Sequence, residues 1–379
     1  MPIGLYVHLP FCHSKCAYCD FCSYPGLMDL LPAYIDGLMA EYDAYEPSLR
    51  GEELASVYLG GGTPSLLPVE LLTRVLSLSS RLPRKSGLEV TMEANPGTGD
   101  REKLSAFVES GGTRLSVGVQ THDDGLLRLL GRGHTARDAA ALVECARSVG
   151  VRQINLDLIY GLPGQTVANW TETLAFALSL SPEHLSLYSL ELHDDTPLAR
   201  AVAEGELRLP AEEESLAMLQ TAMSMLPAAG LRQYEIASFA ADGAECIHNI
   251  NYWRNGHYLG LGAAAHSHLG ARRWANLTDP RAYLAALARG GLPVASEEHL
   301  ALADELMETV MLGLRLRQGL DLSLLQADYG LAPSALFGEK LGELSGLGLV
   351  TVEGGWLRLT DSGVFLADFV LRKLARALP

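Results

Sequence analysis

Short β-rich segments recur along the first half of the chain, at residues 4–11, 56–61, 88–95, 114–120, 153–161 and 184–192, and each reads as a strand. Between them, the stretches around 30–47, 69–82, 100–110, 135–149 and 167–181 place apolar residues at helical spacing, as in Ala139, Leu142, Val143 and Ala146. Strands that alternate with helices in this way predict parallel strands joined by crossover helices. Six of them predict an α/β fold, a partial (β/α)6 barrel of TIM-like type with a broad lateral opening that suits a bulky, flat substrate. Each strand ends in polar chemistry: a cysteine loop after the first, Gly60-Gly61-Gly62-Thr63-Pro64 after the second, Glu93-Ala94-Asn95-Pro96 after the third, then Gln120 and Asp157. The C-terminal strand ends of such folds build the active site, so these residues are expected to meet at one mouth.

Beyond about residue 195 the pattern changes. The segment 231–269 holds Tyr234, Phe239, His248, Tyr252, Trp253, Tyr258 and His266 among many glycines and reads as an extension over the site. After about 300 come a helix at 304–317, two more near 321–329 and 334–346, a hairpin over Val350–Leu359 turning at Gly354-Gly355, and a last helix from about Asp361. The expected division is a barrel over 1–230, a site-covering extension and linker over 231–300, and a small winged-helix-like domain over 301–379.

Composition narrows the class. At 379 residues the chain can bury a large core, and 48% apolar with 20% charged residues is ordinary for a soluble protein. The longest apolar runs fall short of a membrane span, and the N-terminal Met-Pro-Ile-Gly-Leu-Tyr-Val-His lacks the features of a signal peptide, so a cytoplasmic location is expected. A net charge of -16 argues against nucleic acid as the main partner.

Four cysteines fall within eleven residues, Cys12, Cys16, Cys19 and Cys22, whereas Cys145 and Cys246 are the only others, too few for a disulfide framework. The first three carry the spacing CxxxCxxC, which can wrap a four-iron cluster and leave one iron without a protein ligand. A zinc site would want a second Cys or His pair farther along, and no CxxC pair exists beyond this run. Free buried thiols are the remaining alternative, and Lys15, His13 and Asp20 among them make a poor core segment.

With these cysteines, the Gly60–Pro64 run, Glu93, Gln120, Arg132 and Asp157 in place, the chain strongly resembles the radical S-adenosylmethionine superfamily, in its coproporphyrinogen-oxidase-like branch and most closely the HemW heme chaperones. The likeness runs through Tyr6-Val7-His8-Leu9-Pro10-Phe11-Cys12, Arg114–Gln120, Asn155–Gln165 and Cys246–Trp253. It implies one 4Fe-4S cluster on Cys12, Cys16 and Cys19, whose open iron is chelated by S-adenosylmethionine. Tyr6, Gly61 and Glu93 resemble contacts of that molecule, while Tyr18, Gly62, Thr63, Gln120, Arg132 and Asp157 match positions that hold a second one in the oxidase. The glycines suit close backbone approach, with amides available to the cofactor. His248-Asn249-Ile250-Asn251-Tyr252-Trp253 matches the HNxxYW motif associated with heme, which makes His248 the candidate axial ligand, with His266 and His268 as weaker ones.

Two departures separate the branch members. The oxidase pattern is CxxxCxxCxC, but Phe21 stands at the fourth cysteine's position and Cys22 lies one residue later, as an extra thiol outside the ligand set. Only eleven residues precede Cys12, which leaves no room for the N-terminal extension of the oxidase. The expectation is a heme chaperone that serves heme-accepting respiratory proteins and draws on an electron donor, with no transmembrane segment and with peripheral membrane association open. The alternatives are oxygen-independent coproporphyrinogen III dehydrogenase, which decarboxylates propionates oxidatively, or another radical enzyme acting on a tetrapyrrole.

Overall fold

The computed structural model describes residues 2–330 and 332–375. Six strands, β1 (Pro2–Leu9), β2 (Glu53–Gly61), β3 (Arg84–Ala94), β4 (Arg114–Gln120), β5 (Gln153–Tyr160) and β6 (His184–Ser189), pair in that order and all in parallel. The helices α1 (Leu31–Tyr45), α2 (Val69–Leu76), α3 (Arg101–Glu109), α4 (Ala136–Ser148) and α5 (Val167–Ser179) cross over between them, and α6 (Glu212–Ala228) follows the sixth strand. Asp100, Thr135 and Thr166 cap α3, α4 and α5 by accepting a backbone N–H of the first turn. The first strand stops before the expected residue 11 because Pro10 has no N–H to continue the ladder; Phe11–Cys12 then pairs with Tyr24–Pro25 and closes the cysteine loop on itself.

The two faces of this sheet differ sharply. Leu5, Val7 and Leu9, Val57 and Leu59, Val90 and Met92, Leu115, Val117 and Val119, and Ile154, Leu156 and Leu158 belong to the main apolar core, which also takes in Leu38, Val75, Phe107, Leu142 and Leu174 of the surrounding helices. The alternate positions point the other way, and they carry Tyr6, His8, Ser56, Tyr58, Glu89, Glu93, Arg114, Ser116, Asn155, Asp157, His184 and Ser186. The concave face is therefore polar and largely buried.

The segment 231–300 extends both margins of the sheet. β7 (Arg232–Gln233) and β8 (Ser238–Ala240) add antiparallel strands beyond β6. The helix α7 (Ile247–Trp253) leads into β9 (Tyr258–Leu261), a seventh strand parallel to β1 on its other side. From there β10 (His266–Leu269), β11 (Arg272–Asn276) and β12 (Val294–His299) continue antiparallel, with α8 (Pro280–Ala288) before the last, and complete a twelve-stranded sheet. Glu41 of α1 fastens this margin by accepting from Gly262 N, Asn276 Nδ2 and Tyr283 Oη at 2.8, 2.6 and 2.7 Å.

The C-terminal domain has its own core, including Leu306, Val310, Leu325, Leu344, Leu357, Val370 and Leu374. It runs α9 (Leu302–Gly313), α10 (Leu322–Tyr329), α11 (Pro333–Gly346, broken at non-helical Gly338), the hairpin β13 (Val350–Glu353) and β14 (Trp356–Leu359), α12 (Asp361–Phe365) and α13 (Ala367–Ala375). Gly354 and Gly355 take φ of 59° and 84°, which the expected tight turn requires. No helix among the described residues is long and apolar enough to cross a membrane.

Candidate functional site

The strand ends converge as expected. Cys12, Cys16, Tyr18, Cys19, Gly61, Gly62, Thr63, Glu93, Gln120, Arg132 and Asp157 all line one cavity of about 920 Å3, roofed by Leu366, Phe369 and Arg372 at the C-terminal end of the chain. Tyr6 stands in an adjoining cavity of about 520 Å3, which shares Phe21, Gly61 and Glu93 with the first. Cys22 faces this second cavity and not the first, and its carbonyl accepts from His8 Nε2 at 2.9 Å.

The three spaced cysteines share a wall. Thr63 Oγ1 lies 3.5 Å from Cys12 Sγ, and Arg132 Nη1 donates to Cys16 Sγ at 3.5 Å. Among the described residues no group of three His, Cys, Asp or Glu side chains converges as a single metal ion requires. That disfavours a mononuclear zinc site and is no obstacle to a cluster, whose cysteines each bind a different iron.

Gly62 is fixed by packing: a Cβ there would lie 2.6 Å from Phe11 O and 2.8 Å from Leu9 O, both backbone atoms that cannot retreat. Gly61 has φ of +105°, and a Cβ there would meet the His8 ring at 2.5 Å. Their amides were expected to be free for a cofactor, but Gly61 N donates to Glu93 Oε2 at 3.1 Å and Gly62 N to Leu9 O at 2.9 Å. The glycines let the cysteine loop lie directly against the second strand, and what they leave to a ligand is room.

Glu93 also accepts from Tyr58 Oη at 3.0 Å. Burial, with the charge of Asp157 adding to it, pushes its carboxyl up to about 7. Asp157 is raised by burial as well, against hydrogen bonds from Ser116 Oγ and Asn155 Nδ2, both at 2.8 Å. Arg132 donates to Asn95 Oδ1 and, at 2.8 Å, to Gly118 O, which holds its guanidinium rigidly at the wall. Gln120 reaches the cavity through a bulge at the end of β4, where the register shifts and its φ is 67°.

Below this mouth lies a hydrogen-bonded chain that motif reading missed. Asn155 Oδ1 meets His184 Nδ1 at 2.6 Å, and His184 Nε2 meets Tyr234 Oη at 2.9 Å, which accepts from Cys246 N at 3.3 Å. Glu89 accepts from the backbone N–H of both Ile247 and His248 at 3.0 Å, so it ties α7 against the early residues of the strands. The available signal was the alternation itself: Arg114, Ser116, Asn155 and Asp157 sit at every second position of otherwise apolar strands.

His248, the expected heme ligand, is buried inside this assembly and reaches neither cavity. Its Nδ1 meets Ser56 Oγ at 2.8 Å, its Nε2 meets Tyr252 Oη at 2.9 Å, and its ring stacks on Tyr58 at 5.1 Å. Burial drives its pKa down to about 3, so it is neutral, and neither ring nitrogen is free for an iron. His268 is also buried, beside His257, whereas His266 is exposed and lines the second cavity.

A family model described as the radical SAM superfamily matches residues 6–177, and one described as the HemN C-terminal domain matches residues 300–366. The chain is 35% identical to the heme chaperone HemW of Bacillus subtilis over 96% of its length and 97% of that protein's. It is 37% identical to the HemW of Escherichia coli, over 70% of each chain. Among solved structures, coproporphyrinogen III oxidase (HemN) from Escherichia coli, a radical SAM enzyme, superposes with a TM-score of 0.85 at 26% identity, covering 99% of this chain and 89% of that one. On the strength of this near full-length similarity, the chain belongs to the HemW heme-chaperone family of the radical SAM superfamily.

Proposed function

We propose that the chain binds heme and passes it to acceptor proteins, and that a 4Fe-4S cluster in the larger cavity and S-adenosylmethionine meet where the two cavities join at Gly61 and Glu93. The observation that carries the reading is the convergence of Cys12, Cys16 and Cys19 with Gly61, Gly62 and Glu93 on one cavity, in a chain whose near full-length relatives are heme chaperones. The thiols of Cys12, Cys16 and Cys19 would hold the cluster, with Arg132 and Thr63 as polar neighbours of two of them. When bound, a cluster with one iron free of protein ligands supplies a coordination site and single electrons. Tyr6 and Glu93 then bound the S-adenosylmethionine site, where Glu93 presents a carboxylate to an ammonium group or a ribose hydroxyl. Tyr18, Gly62, Thr63, Gln120, Arg132 and Asp157 form the remaining wall, which suits a second such molecule. Leu366 and Phe369 add apolar surface to the wall of this space.

Acceptor proteins of the respiratory chain, an electron donor and a cytoplasmic setting complete the proposal. The experiment is anaerobic reconstitution of the cluster followed by hemin titration and coproporphyrinogen III turnover on one preparation. Saturable hemin binding without decarboxylation is expected; robust carbon dioxide release with S-adenosylmethionine and a reductant would replace this reading with the oxidase one. For the cluster, Cys16→Ala should lose iron and Cys22→Ala should retain it, since Cys22 lines the second cavity and the other three line the first.

A further inference from the structure

The segments that follow β2, β3 and β4 each send one polar side chain to the cysteine wall, Thr63, Asn95 and Arg132, and the three are bonded to one another. Arg132 Nη2 donates to Asn95 Oδ1 and to Gly118 O, Asn95 Nδ2 donates to Thr63 Oγ1 at 2.9 Å, and Thr63 Oγ1 lies 3.5 Å from Cys12 Sγ. Arg132 Nη1 donates to Cys16 Sγ at 3.5 Å. One hydrogen-bonded arc therefore runs from the Cys16 sulfur through a guanidinium, an amide and a hydroxyl to the Cys12 sulfur.

Chemistry fixes the direction of every bond in this arc. A guanidinium only donates, so the Asn95 oxygen must face Arg132 and its NH2 group must face Thr63. The Thr63 oxygen accepts from that NH2 and keeps its own hydrogen for Cys12, which as an iron-bound thiolate could only accept. Bonds in series polarise one another, and Thr63, with 3% of its surface exposed, makes its contact out of water. The backbone holds the arc in register: Ala17 N donates to Leu130 O at 2.9 Å, and a Cβ on Gly131 would stand 3.3 Å from Ala17 N, so the segment that carries Arg132 lies directly on the cysteine loop.

We propose that Arg132, Asn95 and Thr63 are positioning residues that raise the reduction potential of the cluster, Arg132 through Cys16 directly and all three in series through Cys12. This rests on the cluster reading given above. Reduction adds one electron, and so one negative charge, to a cluster already held by anionic thiolates; donors and a cation beside the sulfurs favour that added charge. The electron comes from the external one-electron donor of the proposed function, no bond forms or breaks and no proton moves. The contacts use three of the five guanidinium N–H groups and leave two for a ligand in the cavity, so the role does not depend on one.

The test is an anaerobic redox titration of the full chain carrying its reconstituted cluster, without S-adenosylmethionine, followed by the paramagnetic signal of the reduced cluster. Arg132→Met should lower the reduced-to-oxidised ratio at a fixed potential about tenfold or more, which for a one-electron couple is about 59 mV. Arg132→Lys, which keeps the charge and loses the fork, should fall between wild type and Arg132→Met, and Thr63→Val, which removes one hydroxyl from Cys12, should shift the potential the same way. A residue that only supported the fold, or only clamped a second S-adenosylmethionine, would leave the potential of the loaded chain where it is. Wild-type potentials in Arg132→Met and Thr63→Val, a shift to higher potential in either, or no recovery in Arg132→Lys overturns the proposal while leaving the cluster reading intact. If Arg132→Met retains no iron, Thr63→Val decides by the same criterion. A wild-type chain that holds no four-iron cluster overturns the cluster reading itself, and the arc falls with it.

Discussion

Glu41 and His248 are both withdrawn from water, and burial acts on them with opposite sign. It pushes the Glu41 carboxyl up to about 7, against three hydrogen bonds that favour its ionised form. The folded chain thus binds more protons at this site than the unfolded chain between roughly pH 4.5 and 7, so stability is full below that window and falls as pH rises through it. His248, lowered to about 3, binds fewer protons when folded; its contribution is full above about 6.5 and is lost as pH falls through the folded value. Urea midpoints measured from pH 4 to 8 should show Glu41→Gln making the downward slope shallower, with Glu93 keeping part of it, and His248→Gln making the upward one shallower, each change on the order of 3 kcal/mol at most across its window. Parallel pH profiles for wild type and Glu41→Gln would contradict this account. Gly62 obeys packing alone: Gly62→Ala should cost about 1–3 kcal/mol and reduce the iron retained, because the obstructing atoms are backbone of the cysteine loop. At this scale much was legible, since ten of the residues named from motifs, from Cys12 to Asp157, line one cavity together with Gly61. The surroundings of His248 were not legible for a physical reason: a motif records which side chains occur together, and only the fold shows this imidazole bonded to Ser56 and Tyr252.

At the scale of elements, α7 behaves as a plug pinned inside the barrel. Seven residues are too few to be stable as an isolated helix, so its position depends on tertiary anchors. Glu89 supplies them by accepting from Ile247 N, His248 N and Cys246 Sγ, with the charge of the buried Arg114 nearby. Glu89→Ala would leave these donors unpaired and Arg114 without its nearest compensating charge, at a cost of about 3–5 kcal/mol. Hydrogen exchange should then rise first over 247–253, and retained protection there would show that the helix is held by packing of His248 and Tyr252 alone. The six parallel strands and the helices between them were legible because each is long and periodic. The short strands β9 to β12 were not, since four to six residues carry no readable period, and the pairing of β9 with β1 joins positions more than two hundred residues apart.

Among the described residues, specific polar contacts join the two cores, and one of them borders the second cavity. Arg273 of β11 donates to Glu308 Oε2 of α9 at 2.6 Å from Nη2 and 3.0 Å from Nε, and to Asn255 Oδ1 at 2.6 Å. Arg315 lies over the Trp253 ring at 4.6 Å, and Ile236 N and Arg317 N donate to Arg315 O and Tyr234 O across the junction. These contacts set how firmly Leu366 and Phe369 close over the cluster cavity, so the roof is as stable as the docking and no more so than the barrel beneath it. The Arg273–Glu308 pair is partly buried, with 19% and 34% of its side chains exposed, and two guanidinium N–H groups converge on the one oxygen Oε2, which makes it stronger than an exposed ion pair. Arg273→Ala should therefore weaken docking by about 1–3 kcal/mol while leaving each core folded. Hydrogen exchange should increase over Leu302–Gly313 and in 364–372, with the strands β1 to β6 as protected as before. If protection fell uniformly across the chain, the two cores would unfold as one cooperative unit, and the roof would have no opening motion independent of the barrel.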